Sequence, residues 1–76
     1  MTNSITKTFN VKEIKSNVGG YTYIMENNYS VYIDLSDYEA TWTVYDNSNE
    51  ELDWGVYSEE TIVNELSQFI SILNHF

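Results

Sequence analysis

The chain has 76 residues, 12 of them acidic and 3 of them lysine, with no arginine and no cysteine. That length supports one small domain, and the missing cysteines exclude a disulfide framework and a thiolate site. A formal net charge of -9 disfavours direct nucleic-acid binding, which needs basic surface to neutralise phosphates.

Disorder fits poorly, because 42% of the residues are hydrophobic and 16% aromatic. No apolar run approaches the ~20 residues of a membrane span. Thr2, Asn3 and Ser4 after Met1 are polar, so no secretory signal is expected. A cytoplasmic protein with one domain over 1–76 and no membrane contact is the expectation.

In chain order, the first segment is ambiguous. Ile5-Thr6-Lys7-Thr8-Phe9-Asn10-Val11 has strand composition. Asn10 with Glu13 could instead be a helix-capping pair. A strand over about 4–13 with a turn at 17–20 is the preferred reading. From Tyr21 to Tyr57, apolar and polar residues alternate between polar turns. This predicts strands over 20–26, 29–35, 40–45 and 52–57. Asn27-Asn28 suits a tight hairpin, because Asn tolerates positive φ. Connections this short imply an antiparallel order. Ser58 is placed to cap a C-terminal helix with Ile62, Leu66, Phe69, Ile70 and Leu73 on one apolar face. The predicted fold class is α+β: an antiparallel β-meander of four to five strands with one C-terminal helix packed on one face.

Strands alternate their side chains between faces. The sorting predicts a helix-covered face of Ile24, Val31, Ile33, Leu35, Trp42, Val44, Leu52, Trp54 and Val56. The opposite face then carries Tyr21, Tyr23, Tyr32, Tyr45 and Tyr57. Tyrosine supplies large, rigid contact area and is enriched at interfaces. The five tyrosines are therefore an expected partner-binding face, which could also bring two copies into a homodimer.

Chemistry by the chain itself is not expected. There is no Ser/His/Asp or Cys/His arrangement, and the single histidine, His75, reads as a surface residue at the end of the last helix. The stretch DNSNEELDWGVY begins like a calcium loop, but Glu51 and Tyr57 stand where that loop needs glycine and glutamate. No catalytic residue, metal site or cofactor is expected.

The acids are the outlier. Lys7, Lys12 and Lys15 all precede Ser16, while Asp34, Asp37, Glu39, Asp46, Glu50, Glu51 and Asp53 crowd the meander without a nearby base. Glu59 and Glu60 have a helix start to stabilise, Glu65 reads as a solvated helix residue, and Glu13 lies between lysines. The seven acids of the meander from Asp34 to Asp53 are the expected partner-binding set, and only a basic partner would be attracted to them. Same-face strand residues lie about 6.6 Å apart, and two steps along a DNA strand advance about 6.8 Å.

The stretch LSDYEATWTVYDNSNEELDW (35–54), with lysine confined to one end of a short cysteine-free chain, resembles the small acidic phage-encoded inhibitors. These include DNA-mimic and anti-CRISPR proteins. The resemblance lies in size, charge and architecture, with no motif matched. It implies an inhibitor that covers the basic nucleic-acid-binding surface of a host defence protein, such as a CRISPR effector or restriction enzyme. The alternatives are an immunity or antitoxin-type protein neutralising a basic toxin, and a self-associating accessory phage protein.

Overall fold

The computed structural model describes residues 3–36 and 38–74. Asp37 and His75 lie outside the described residues. The order of elements is helix α1 (Asn3–Thr8), strands β1 (Val11–Asn17), β2 (Gly20–Met25), β3 (Ser30–Asp34), β4 (Thr41–Tyr45) and β5 (Glu51–Val56), then helix α2 (Ile62–Leu66), a 3-10 turn (Ser67–Phe69) and helix α3 (Ile70–Leu73). The five strands form one antiparallel sheet in sequence order, a meander with β1 and β5 as its edges. The class is α+β. One face of the sheet is covered by the helical segments and the other is not.

The first segment is a helix where a strand was expected. A strand would place Ile5, Lys7 and Phe9 on one face and drive Lys7 toward the core. A helix puts Ile5 and Phe9 one turn apart and turns Lys7 out. Both apolar residues are buried and Lys7 is exposed. The amide of Phe9 donates to the Ile5 carbonyl at 2.9 Å, closing the last turn. Packing overrides the modest helix propensity of the β-branched residues here. The Asn10–Glu13 capping pair does not form, since β1 begins at Val11 and contains Glu13.

Two turns decide which side chains are buried. Asn27-Asn28 is not a two-residue hairpin. The loop has three residues: Met25 donates to the Tyr29 carbonyl at 2.8 Å, and Asn28 takes the left-handed conformation at φ 71°. One extra loop residue shifts the register by one and exchanges the faces of the strand. Tyr21 therefore pairs with Ile33 and Tyr23 with Val31. Tyr21, Tyr23 and Met25 point at the helices, and Ile24 joins the open face.

The β4–β5 connection repeats the device. Asp46 donates its amide to the Glu50 carbonyl at 2.9 Å, and Asn49 sits at φ 65°. That loop alone would bring Leu52 opposite Val44 and Trp54 opposite Trp42. A β-bulge next to Tyr45 prevents it. Tyr45 pairs with Glu51, but Val44 pairs with Asp53 and Trp42 with Gly55, so Leu52 is the inserted residue. Leu52, Trp54 and Val56, expected in the core, are exposed; Trp54 is 59% accessible.

The core is Ile5, Phe9, Tyr23, Met25, Val31, Ile33, Trp42, Val44, Ile62, Leu66 and Leu73. Of the predicted helix face, Ile62, Leu66 and Leu73 are buried, Phe69 packs against the core, and Ile70 stays 42% exposed. The helix starts later than expected. The Ser58 carbonyl accepts from the amides of Thr61 and Ile62, forming a turn ahead of α2. The Ser67 hydroxyl donates to the Val63 carbonyl at 2.6 Å, a back-bond of the kind that bends helices. Beyond it the chain tightens into the 3-10 turn, and Phe69 meets Trp42 edge-on at 6.2 Å.

Candidate functional site: the open sheet face and its acidic edge

The register lines up the open face in rows. One row crosses all five strands as Lys15, Thr22, Tyr32, Thr43 and Trp54. A second runs Glu13, Ile24, Ser30, Tyr45 and Glu51, and a third runs Asn17, Gly20, Asp34, Thr41 and Val56. The face is therefore graded. Its β5 side is apolar and aromatic, its centre is threonine and tyrosine, and its β1 side carries lysine, glutamate and asparagine.

Of the five tyrosines expected on this face, Tyr32 and Tyr45 are there, both half-buried. Tyr23 is 0% exposed in the core, and Tyr21 and Tyr57 pack against the core from the helix side. A five-tyrosine platform does not exist. The changed β2 register put Tyr21 and Tyr23 inside. Tyr57 lies just past β5 and donates its hydroxyl to Glu59 at 2.7 Å. The side chain that dominates the open face is Trp54, which sequence reasoning placed under the helix. The missed signal was the glycine next to it. Gly55 lies opposite Trp42, and a Cβ there would stand 2.7 Å from the indole. A bulky residue such as Trp42 needs an empty position across the ladder, and Gly55 is that position.

The six described acids of the expected set do not form one run. Asp34 and Glu39 lie at the end of the sheet where β3 passes to β4, and Asp46, Glu50 and Glu51 lie at the other end, where β4 passes to β5. Asp53 projects from the middle of edge strand β5. The bulge also places Glu51 and Asp53 opposite residues of different faces, Tyr45 and Val44. No continuous line of carboxylates at phosphate spacing results along that strand.

Two of the acids organise turns. The Asp34 carboxylate accepts from the Ser36 hydroxyl at 2.6 Å and the Ser36 amide at 2.9 Å. These bonds hold its carboxyl below the usual carboxylate range, the hydroxyl contributing most. The Asp46 carboxylate accepts from the amides of Ser48 at 2.8 Å and Glu50 at 3.0 Å, which fixes the loop before β5. Glu39, Glu50, Glu51 and Asp53 are exposed. Glu65, expected to be solvated, is half-buried and accepts from the Trp42 indole and the Thr61 hydroxyl, both at 3.3 Å.

Two of the three lysines are remote from the β5 side. Lys12 and Lys15 are on β1, and the Lys12 ammonium donates to the Asn28 side chain. Four inter-strand steps separate β1 from β5, about 19 Å. That is about twice the screening length at physiological salt, so these lysines do little to offset the charge on β5.

Among the described residues no three His, Cys, Asp or Glu side chains gather closely enough to hold a metal ion, and these residues enclose no cleft. No helix among the described residues is long and apolar enough to cross a membrane. Comparison with protein-family models, with curated proteins and with solved structures returns no match.

Proposed function

We propose that the protein is a non-catalytic acidic inhibitor, of the kind encoded by phages or mobile elements. It binds the basic surface with which a host protein holds DNA or RNA. The observation that carries this reading is the segregation of charge across the sheet. Glu50, Glu51 and Asp53 stand exposed on the β4–β5 side, about 19 Å from the lysines of β1. Neither Lys12 nor Lys15 is near enough to neutralise this field; the Asp53 carboxylate accepts only locally, from the Trp54 amide at 2.8 Å, and the field draws in a cationic surface by long-range attraction.

Two groups of acids at the two ends of the sheet fit a broad basic groove better than a single phosphate track. Trp54, Val56 and Leu52, exposed beside the acids, supply the apolar contact that charge alone does not, and aromatic anchors dominate binding energy at many interfaces.

The test is capture of host proteins on the immobilised chain, followed by competition with duplex DNA and with RNA. The reading expects a basic nucleic-acid-binding protein that is released by one of these competitors and by added salt. A captured partner that binds the chain and nucleic acid simultaneously would contradict it.

A further inference from the structure

The bulge in β5 does more than turn Trp54 outward. In an unbroken strand, residues three apart point to opposite faces. With Leu52 inserted, Glu51 pairs with Tyr45 and Trp54 with Thr43, so both join the open face. Tyr45 and Thr43 are two residues apart on β4, which sets Glu51 and Trp54 about 6.6 Å apart along the strand. Both are exposed, and half-buried Tyr45 stands beside them. Asp53 does not belong to this group. It lies opposite Val44 on the covered face, and its carboxylate accepts from the Trp54 amide at 2.8 Å. Lys15 stands at the far end of the Trp54 row, about 19 Å away on β1.

We propose that Glu51 and Trp54 form a seat for an arginine side chain of the partner, and that arginine is taken there in preference to lysine. The inference rests on the reading of the protein as a binder of basic surfaces, and adds which cation its aromatic edge recognises. An indole face attracts a cation placed over it. A guanidinium is flat and weakly hydrated, so it can lie on the ring while its paired N–H groups donate to a carboxylate. An exposed carboxylate one step along the face from an exposed indole offers both contacts to a single side chain. A lysine ammonium is drawn from a distance by the same acids. It is a compact, strongly hydrated charge, with no plane to stack and no fork to match the carboxylate. Arginine is favoured on that ground.

The test uses the isotope-labelled full chain and two capped peptides of equal charge, one with four arginines spaced by glycines and one with four lysines spaced the same way. The arginine peptide should bind about fivefold more tightly than the lysine peptide. Its shifts should centre on the Trp54 indole N–H and the Glu51 carboxylate. The quantity read in the variants is the ratio of the two affinities. Trp54→Leu and Glu51→Gln, each confirmed as folded by its melting temperature, should bring that ratio close to one. Glu39→Gln removes the same charge at another end of the sheet and should leave the ratio unchanged.

Equal affinities for the two peptides, or an arginine preference that survives both Trp54→Leu and Glu51→Gln, would overturn the arginine seat and leave the acidic-binder reading intact. A preference lost equally in Glu39→Gln would also overturn it, since general charge would then be the cause. Absence of binding by either peptide even at low salt would overturn both readings.

Discussion

Asp34 and Gly55 each do work that no composition argument reveals. Asp34 uses its carboxylate to close the turn at Ser36, and its pKa is lowered in the folded state. A lowered folded pKa stabilises the fold above the unfolded pKa, and that contribution is lost as pH falls through the folded value. The group is exposed, so solvent keeps the contribution small. Carbon-detected NMR titration should find Asp34 below an ordinary aspartate, and Ser36→Ala should raise its pKa, since the hydroxyl is the larger cause. Identical titration in both chains would remove the assigned cause. Gly55→Ala tests the other residue. The added methyl would stand 2.7 Å from the Trp42 ring, which Glu65 and Phe69 hold from other sides. Overpacking of this kind costs about 1–3 kcal/mol, so thermal unfolding should move to lower temperature. A variant that melts with the wild type would mean that Trp42 does not lie over Gly55.

Among the elements, the last four strands were legible because alternation and short polar turns leave few alternatives, whereas the first, expected over about 4–13, forms over Val11–Asn17. Those four form within one residue or so of 20–26, 29–35, 40–45 and 52–57. Their faces were not legible, because parity depends on single residues in the turns. Asn27-Asn28 reads as a two-residue turn but belongs to a three-residue loop, which sends Tyr23 inward. The loop after Asp46 and the bulge at Leu52 together send Trp54 outward. Neither the bulge nor α1 has a sequence signature strong enough to stand against the strand pattern around it.

The two tryptophans report this directly. In Trp42→Phe, the remaining Trp54 should be quenched readily by acrylamide and emit at long wavelength. In Trp54→Phe, Trp42, which is 3% exposed, should be shielded and blue-shifted. Quenching in the opposite order would restore the bulge-free register and return Trp54 to the core.

For the molecule as a whole, the fold separates charge. Lysines gather on α1 and β1, and acids fill the turns and the far edge. The candidate acids were visible in the sequence as a group, but their division between two ends of the sheet was not, because it depends on the meander. Exposed charges are screened beyond about 8 Å at physiological ionic strength. The association rate with a partner should therefore fall steeply as salt rises, while the dissociation rate, set by close contacts such as those at Trp54, changes less. Stopped-flow mixing at several salt concentrations measures both rates. An association rate indifferent to salt would shift the weight of recognition from the acids to the apolar face.

The central claim is that the exposed acids serve a partner and not the fold. Glu39→Gln, Glu50→Gln, Glu51→Gln and Asp53→Asn, combined in one chain, remove four charges whose carboxylates are exposed. Thermal unfolding and partner affinity measured on that one variant decide the matter. The fold should melt at the wild-type temperature or slightly above, because mutual repulsion has been relieved. Affinity should fall by orders of magnitude, since a close charge pair at an interface is worth about 1.5 kcal/mol or more. Unchanged affinity in a folded quadruple variant would contradict the claim and leave the acids as a means of keeping the chain in solution.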